Sequence, residues 1–190
     1  MFMRHFLLAL LLIPGLHTHA QSGVVAKGGL LWNDFQRDDY SILKRSQAGY
    51  IAGVEVRLGA EDDSYFKPSI YYGKLHIVAQ NHSEGTQFFN VTDGYEFLKM
   101  GLGIEWRLIT LGLFHWRAAG TITFNYIMNV KGSVKFEDIH GSFFGLLCST
   151  GIDISVVSID IGLEPGFSDL IKDSSDTKPV MLMITAGVHF

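Results

Sequence analysis

The sequence predicts an all-β fold: an eight-stranded antiparallel up-and-down transmembrane β-barrel behind an export signal. Three observations carry this. Apolar and polar residues alternate over segments of about ten residues, the two-residue period of a strand with unlike faces. After the first twenty residues there is neither sustained helical periodicity nor an apolar run approaching the length of a membrane helix. The connections between alternating segments switch between short and long, as in barrels with tight periplasmic turns and larger outer loops.

Residues 1–20 read as a signal peptide. Arg4 and His5 give a basic start, Phe6 to Ile13 is a short apolar run, and Pro14-Gly15 breaks it. Thr18-His19-Ala20 sets small residues where a signal peptidase cuts, so the barrel domain is expected to span 21–190. The apolar run is too short to cross a bilayer, which takes about 20 residues.

Strands are expected at 23–32, 48–59, 65–77, 94–108, 112–128, 139–154, 157–168 and 179–190. The fourth is the clearest. Leu98, Met100, Leu102, Ile104, Trp106 and Leu108 share one face, and Lys99, Gly101, Gly103, Glu105 and Arg107 the other. The fifth sets Trp116, Ala118, Gly120, Ile122, Phe124, Tyr126 and Met128 against His115, Arg117, Ala119, Thr121, Thr123 and Asn125. In the seventh, Val157, Ile159, Ile161 and Leu163 alternate with Ser158, Asp160, Gly162 and Glu164. A soluble sandwich would tolerate long charged side chains all over its polar face. Here that face mixes charges with glycines and small residues, which suits a narrow lumen. Slipping a strand by one residue would turn its charges to lipid. Ile104→Arg is therefore expected to impair insertion far more than Gly103→Ser.

Short turns fall near 60–64, 109–111 and 155–156, and long connections near 33–47, 78–93, 129–138 and 169–178. Both termini then lie on the periplasmic side. A sheet in hydrocarbon cannot leave an open edge, so the first strand (Val24 to Trp32) is expected to pair with the last (Val180 to Phe190). Trp32, Tyr50, Tyr65, Phe66, Tyr72, Tyr95, Trp106, Trp116, Tyr126 and Phe190 are read as interfacial girdles.

Composition narrows the function. Charged residues are 18% and the formal net charge is −4, which argues against a dedicated nucleic-acid binder. The single cysteine, Cys148, leaves no internal disulfide and falls on the lipid face. The lumen is expected to hold Lys27, Arg57, Lys67, Lys99, Arg107 and Arg117 against Glu55, Glu105, Asp153, Asp160 and Glu164. Isolated charges in a cramped interior are costly, so these should pair. A plug of salt bridges is favoured over a conduit, because an eight-stranded barrel is barely wide enough for its own side chains.

His115, His140 and His189 invite an enzymatic reading, with Ser142 and Asp138 beside His140. No nucleophile motif surrounds Ser142, and the histidines lack metal-ligand spacing. No cofactor or metal is expected. Asn81 and Asn90 begin Asn-X-Ser/Thr triplets but read as ordinary loop residues. Gly101-Leu102-Gly103 lacks the strand-turn-helix setting of a phosphate loop. The polar segment Val78 to Gly94 is the best candidate for contact with a partner.

These features resemble the small PorT-type outer-membrane β-barrel proteins common in Bacteroidetes. The resemblance rests on Lys27-Gly28-Gly29-Leu30, the run Gly49 to Gly59, Lys67-Pro68-Ser69-Ile70-Tyr71-Tyr72-Gly73-Lys74, Gly162-Leu163-Glu164-Pro165-Gly166 and Ile184 to Phe190. Ser69 stands where family members often carry an acid, and the fourth strand lacks the usual proline. The resemblance implies a Gram-negative outer membrane, and a role in secretion or gliding. A terminal aromatic on an alternating strand resembles the signal read by the outer-membrane assembly machinery. That carries over to Ile184, Ala186, Val188 and Phe190. The expected function is a monomeric structural or interaction barrel, touching outer-membrane lipid, the assembly machinery and a protein partner at its outer loops. A lipid-modifying enzyme and a soluble lipocalin-like ligand binder are the alternatives. The lipocalin would face its apolar rows inward.

Overall fold

A computed structural model describes residues 23–35, 48–59, 64–76, 94–131, 139–170 and 178–190. Alternating β-branched and aromatic residues form strands β1 (Gly23–Phe35), β2 (Gly49–Gly59), β3 (Ser64–His76), β4 (Gly94–Leu111), β5 (Phe114–Lys131), β6 (Ser142–Ile154), β7 (Val157–Pro165) and β8 (Pro179–His189). Each pairs antiparallel with its sequence neighbour, and β1 pairs with β8 to close the barrel. Partners can be traced around it from Val25 through Glu55, Ser69, Gly101, Thr123, Gly145, Gly166 and Pro179. The trace returns to β1 at Phe35, ten residues beyond its start. This stagger is the strand tilt that closure demands.

Two strands are longer than the alternation indicates. β4 reaches Leu111 and β5 runs from Phe114 to Lys131, so their turn is Gly112-Leu113 rather than 109–111. Gly112 has φ +59° at the first central position of this two-residue turn, a conformation that favours glycine. The pairing shifts register between Arg107 and Ile109, a bulge that hides the continuing strand from a strict two-residue count. β6 begins at Ser142 instead of 139, and β7 ends at Pro165 instead of 168.

Facing follows parity. Leu102 is 61% exposed and its neighbour on the opposite face of the same region, Lys99, 1%. The apolar rows point outward and the charges of the barrel's interior inward, the reverse of a lipocalin; Lys74, Glu96 and Lys131 are outward, near the long connections. From Trp106 up to Leu98 the outward row covers a height of roughly 20–25 Å, the thickness of an outer-membrane apolar band.

Most of the aromatics fall in two belts on that surface. Phe66, Trp106, Trp116 and Phe190 lie toward the short turns, and Trp32, Tyr50, Tyr72, Phe124, Tyr126 and Phe144 toward the long connections. Tyr50 and Tyr72 pack with ring centroids 6.2 Å apart, and Phe124 and Phe144 at 5.0 Å. Tyr65 and Tyr95 belong to neither belt. They share parity with Lys67 and Lys99 and are buried inside the barrel.

Candidate functional site

The lumen is where the chemistry-bearing side chains converge, and it has two layers. The lower layer, toward the short turns, is ionic. Lys27 Nζ lies 2.7 Å from Glu55 and 2.7 Å from Asp160. Arg57 Nε meets Glu105 at 3.0 Å and its Nη1 meets Asp153 at 2.9 Å. From β5, Arg117 reaches Glu105 (3.0 Å), Asp153 (2.9 Å) and Asp160 (2.6 Å). Lys67 Nζ sits 3.5 Å from Glu55 and 3.6 Å from Glu105. Tyr71 donates its hydroxyl to Glu55 at 2.5 Å. His189 closes this layer, with Nδ1 3.4 Å from Arg57 and Nε2 3.3 Å from Asp153.

The upper layer is apolar, which corrects the expectation of charges throughout. Leu31, Ile51, Leu75, Tyr95, Phe97, Ile127, Phe143, Leu147, Met181 and Met183 fill it, and Ile139 and Leu170 pack over them from above. Every strand-borne member has the parity of the charged row, so position along the strand separates the layers. Gly73 illustrates the fit: a Cβ there would lie 2.5 Å from Cζ of Phe97, so the glycine on β3 makes room for the ring on β4.

One ion pair stands inside the apolar layer. Lys99 Nζ bonds Glu164 Oε2, and both side chains are essentially inaccessible. The other carboxylate oxygen accepts from Thr123 Oγ1 at 2.6 Å and Asn125 Nδ2 at 2.9 Å. Lys99 also lies 3.6 Å from Met183 Sδ and 5.8 Å from the Phe97 ring centroid.

Ten of the eleven charges expected in the lumen therefore meet an opposite charge there, five cations against five acids. Arg107 lies elsewhere, half-buried at the lower rim with its guanidinium carbon 5.2 Å from the Tyr65 ring centroid. Tyr71, Thr123, Asn125 and His189 complete the contacts. Thr123, Asn125 and His189 have the inward parity expected from the sequence, and their bonds to the charged groups emerge only when the strands close.

A cavity among Lys27, Glu55, Lys67, Tyr71, Asp160 and Thr185 measures about 20 Å³, room for about one water. Among the described residues these charges are paired, and this cavity is too small for an organic ligand. Burying these ions costs several kcal/mol each before pairing, so the bonds oppose a penalty and define which strands face one another.

The histidines do not converge. His115 faces the inner side of the β4–β5 hairpin, its Nδ1 3.2 Å from Thr110 Oγ1. His140 lies at the opposite end, its backbone N–H donating to the Leu170 carbonyl at 2.9 Å, and His189 is at the lower rim. Asp138 lies outside the described residues. So do residues 1–20, Asn81, Asn90 and the segment 78–93. Among the described residues no grouping of His, Cys, Asp and Glu can hold a metal ion. Cys148 is exposed on the outer surface. Ile184, Ala186, Val188 and Phe190 form one exposed outward row on β8 and its end. Phe190 is 80% exposed, and its N–H donates to Val24 O at 2.8 Å.

No protein-family description matches the chain, and no curated protein is detectably similar to it. Solved structures do match in fold. The Neisserial surface protein A is 13% identical, with a TM-score of 0.55 over 91% of this chain and 100% of that one. The outer membrane protein OprG of Pseudomonas aeruginosa is 12% identical, with a TM-score of 0.53 over 90% of this chain and 97% of that one. With its closed barrel and apolar exterior, the chain has the architecture of the small eight-stranded outer-membrane barrels of Gram-negative bacteria.

Proposed function

We propose that the protein is a sealed, non-enzymatic barrel whose work is done at its surfaces: it anchors outer loops in the outer membrane, where they meet a surface partner or a component of secretion machinery. The filled lumen carries this reading. Its lower half is occupied by mutually paired charges and its upper half by apolar side chains, so neither transport nor lumenal chemistry has room. Loops held on a rigid scaffold then become the place for function. The PorT-type resemblance adds the secretion role, and the charge network serves to fix strand pairing. Residues 1–20 act as the export signal, and the outward row Ile184, Ala186, Val188 and Phe190 is read by the assembly machinery. No observation favours the lipid-modifying enzyme.

Planar-bilayer recording tests the seal. The purified barrel gives no unitary conductance at neutral pH; steady ion-selective openings would contradict the reading. Replacing residues 79–92 by a short turn tests the loop. The barrel still assembles, but cross-linked partners are lost from whole cells. An unchanged cross-linking pattern counts against the loop as the contact.

A further inference from the structure

The β4–β5 hairpin continues below the described end of β3. β3 ends at Ser64, opposite Trp106, while β4 runs on through Leu111. The added length carries the hairpin roughly 10 Å below Phe66 and Trp106, allowing for strand tilt. Its tip is Leu111-Gly112-Leu113-Phe114, and Leu111 and Leu113 are 68% and 72% exposed. Such side chains pointing into water would be an unusual surface.

The bulge gives this surface a direction. Arg107 pairs with Arg117, an inward residue, but past the register shift Ile109 pairs with Trp116, an outward one. Leu111 and Phe114 then share the outward face, while Thr110 and His115 pair on the inner side and bond each other. Without the bulge, Ile109 and Leu111 would turn inward and Thr110 outward. The bulge thus prolongs the lipid-facing row of Trp106 and Leu108 to the hairpin tip, beside the β6–β7 turn. The tip is also held in place: Ser155 N–H, in the β6–β7 turn, donates to the Leu113 carbonyl at 3.0 Å. Val156, in that turn, adds a further exposed apolar side chain. Directly above, Trp116, Thr150, Ile152, Ile159, Ile161 and Ile184 line an open apolar groove of about 310 Å³ on the same outer surface. Gly151 and Asp160 complete the lining; Trp116 Nε1 donates to Thr150 Oγ1 at 2.9 Å, and Thr150 Oγ1 donates to the Arg117 carbonyl at 2.9 Å.

We infer that the outward face of this hairpin, with the groove above it, is a seat for phospholipid of the periplasmic leaflet, the groove taking an acyl chain and the tip lying among the chains and headgroups below. Continuity with the lipid-facing band argues for lipid, as does the segregation of Thr110 and His115 to the inner face. A water-exposed hairpin gains nothing from that segregation. A protein docking on the tip would require an apolar surface of its own in the same place.

The test uses the full barrel with Cys148→Ser and single cysteines at Leu111, at Leu102 as a lipid-band reference, and at Lys131 as a water reference. Each carries a small fluorophore and is folded into phosphatidylcholine vesicles. With chain-brominated lipid in the vesicles and iodide outside, the label at 111 is quenched by bromine like the label at 102. Iodide quenches it several-fold less than the label at 131. Heat-modifiable gel migration confirms that each variant is folded. Iodide quenching at 111 equal to that at 131, with no bromine effect, would place the tip in water and overturn the inference.

Discussion

Replacing Glu164 by methionine leaves Lys99 charged and buried, beside the Met183 thioether at 3.6 Å and the Phe97 ring centroid at 5.8 Å. Removing one partner of a buried pair costs about 3–5 kcal/mol, because the surviving charge stays desolvated. Lys99→Met is milder, since Glu164 keeps two donors, Thr123 and Asn125. The double variant removes both charges and orphans only those neutral donors, at a cost of about 1–3 kcal/mol. The cycle therefore predicts that the second substitution recovers stability lost in Glu164→Met. The assay is urea unfolding of the barrel in lipid vesicles, with the folded fraction read from gel migration and from tryptophan emission. The contrary result is a Glu164→Met cost below about 1 kcal/mol with a double variant that merely sums the singles. That result would mean that Lys99 reaches water and the upper lumen is wet.

Other outcomes follow from the register. Leu102→Arg, placed near mid-band, costs about 2–4 kcal/mol of insertion, and Ile104→Arg costs less because it lies one outward step above Trp106; equal penalties for an arginine at Leu102 and at the inward Thr121 would defeat the assigned facing. Gly103 is not the mild site that alternation implies, because a Cβ there would lie 2.8 Å from the Gly120 carbonyl and 2.9 Å from Thr121 Cβ. Gly103→Ala therefore lowers the urea midpoint, whereas Gly120→Ala, outward with open space around its Cβ, leaves it unchanged. Phe190→Ala removes an 80% exposed ring and little packing, so the purified barrel keeps its unfolding midpoint while the amount assembled in cells falls several-fold. Undiminished assembly would remove Phe190 from the recognised row.

Much of the architecture was legible because a barrel repeats one rule. Parity alone places Lys27, Glu55, Lys67, Lys99, Arg117, Asp160 and Glu164 in the lumen, and turn residues mark most strand ends. What parity does not encode is height along the strand. Tyr65 and Tyr95 look like girdle aromatics in a list of strand-end rings, yet their inward parity buries them. The apolar upper layer escaped notice for a related reason. Leu31, Ile51, Leu147 and Met183 sit on the polar face of otherwise amphipathic strands and read as noise until the closed sheet stacks them at one level. The β4–β5 turn was misplaced because the bulge at Arg107 and Ile109 breaks the two-residue period just where a turn would also break it. Arg107, on the inward parity next to that bulge, went to the rim and the Tyr65 ring instead of across the lumen.

A closed barrel in the outer membrane, with apolar side chains to lipid and charges paired within, should behave as an integral outer-membrane protein. Heat-modifiable gel migration of protein extracted from the outer-membrane fraction tests it most directly. The unheated protein enters detergent only from outer membranes and runs as a compact, faster band that shifts to the unfolded position on boiling. Recovery in the soluble periplasmic fraction without detergent, with no change of migration on heating, would contradict it.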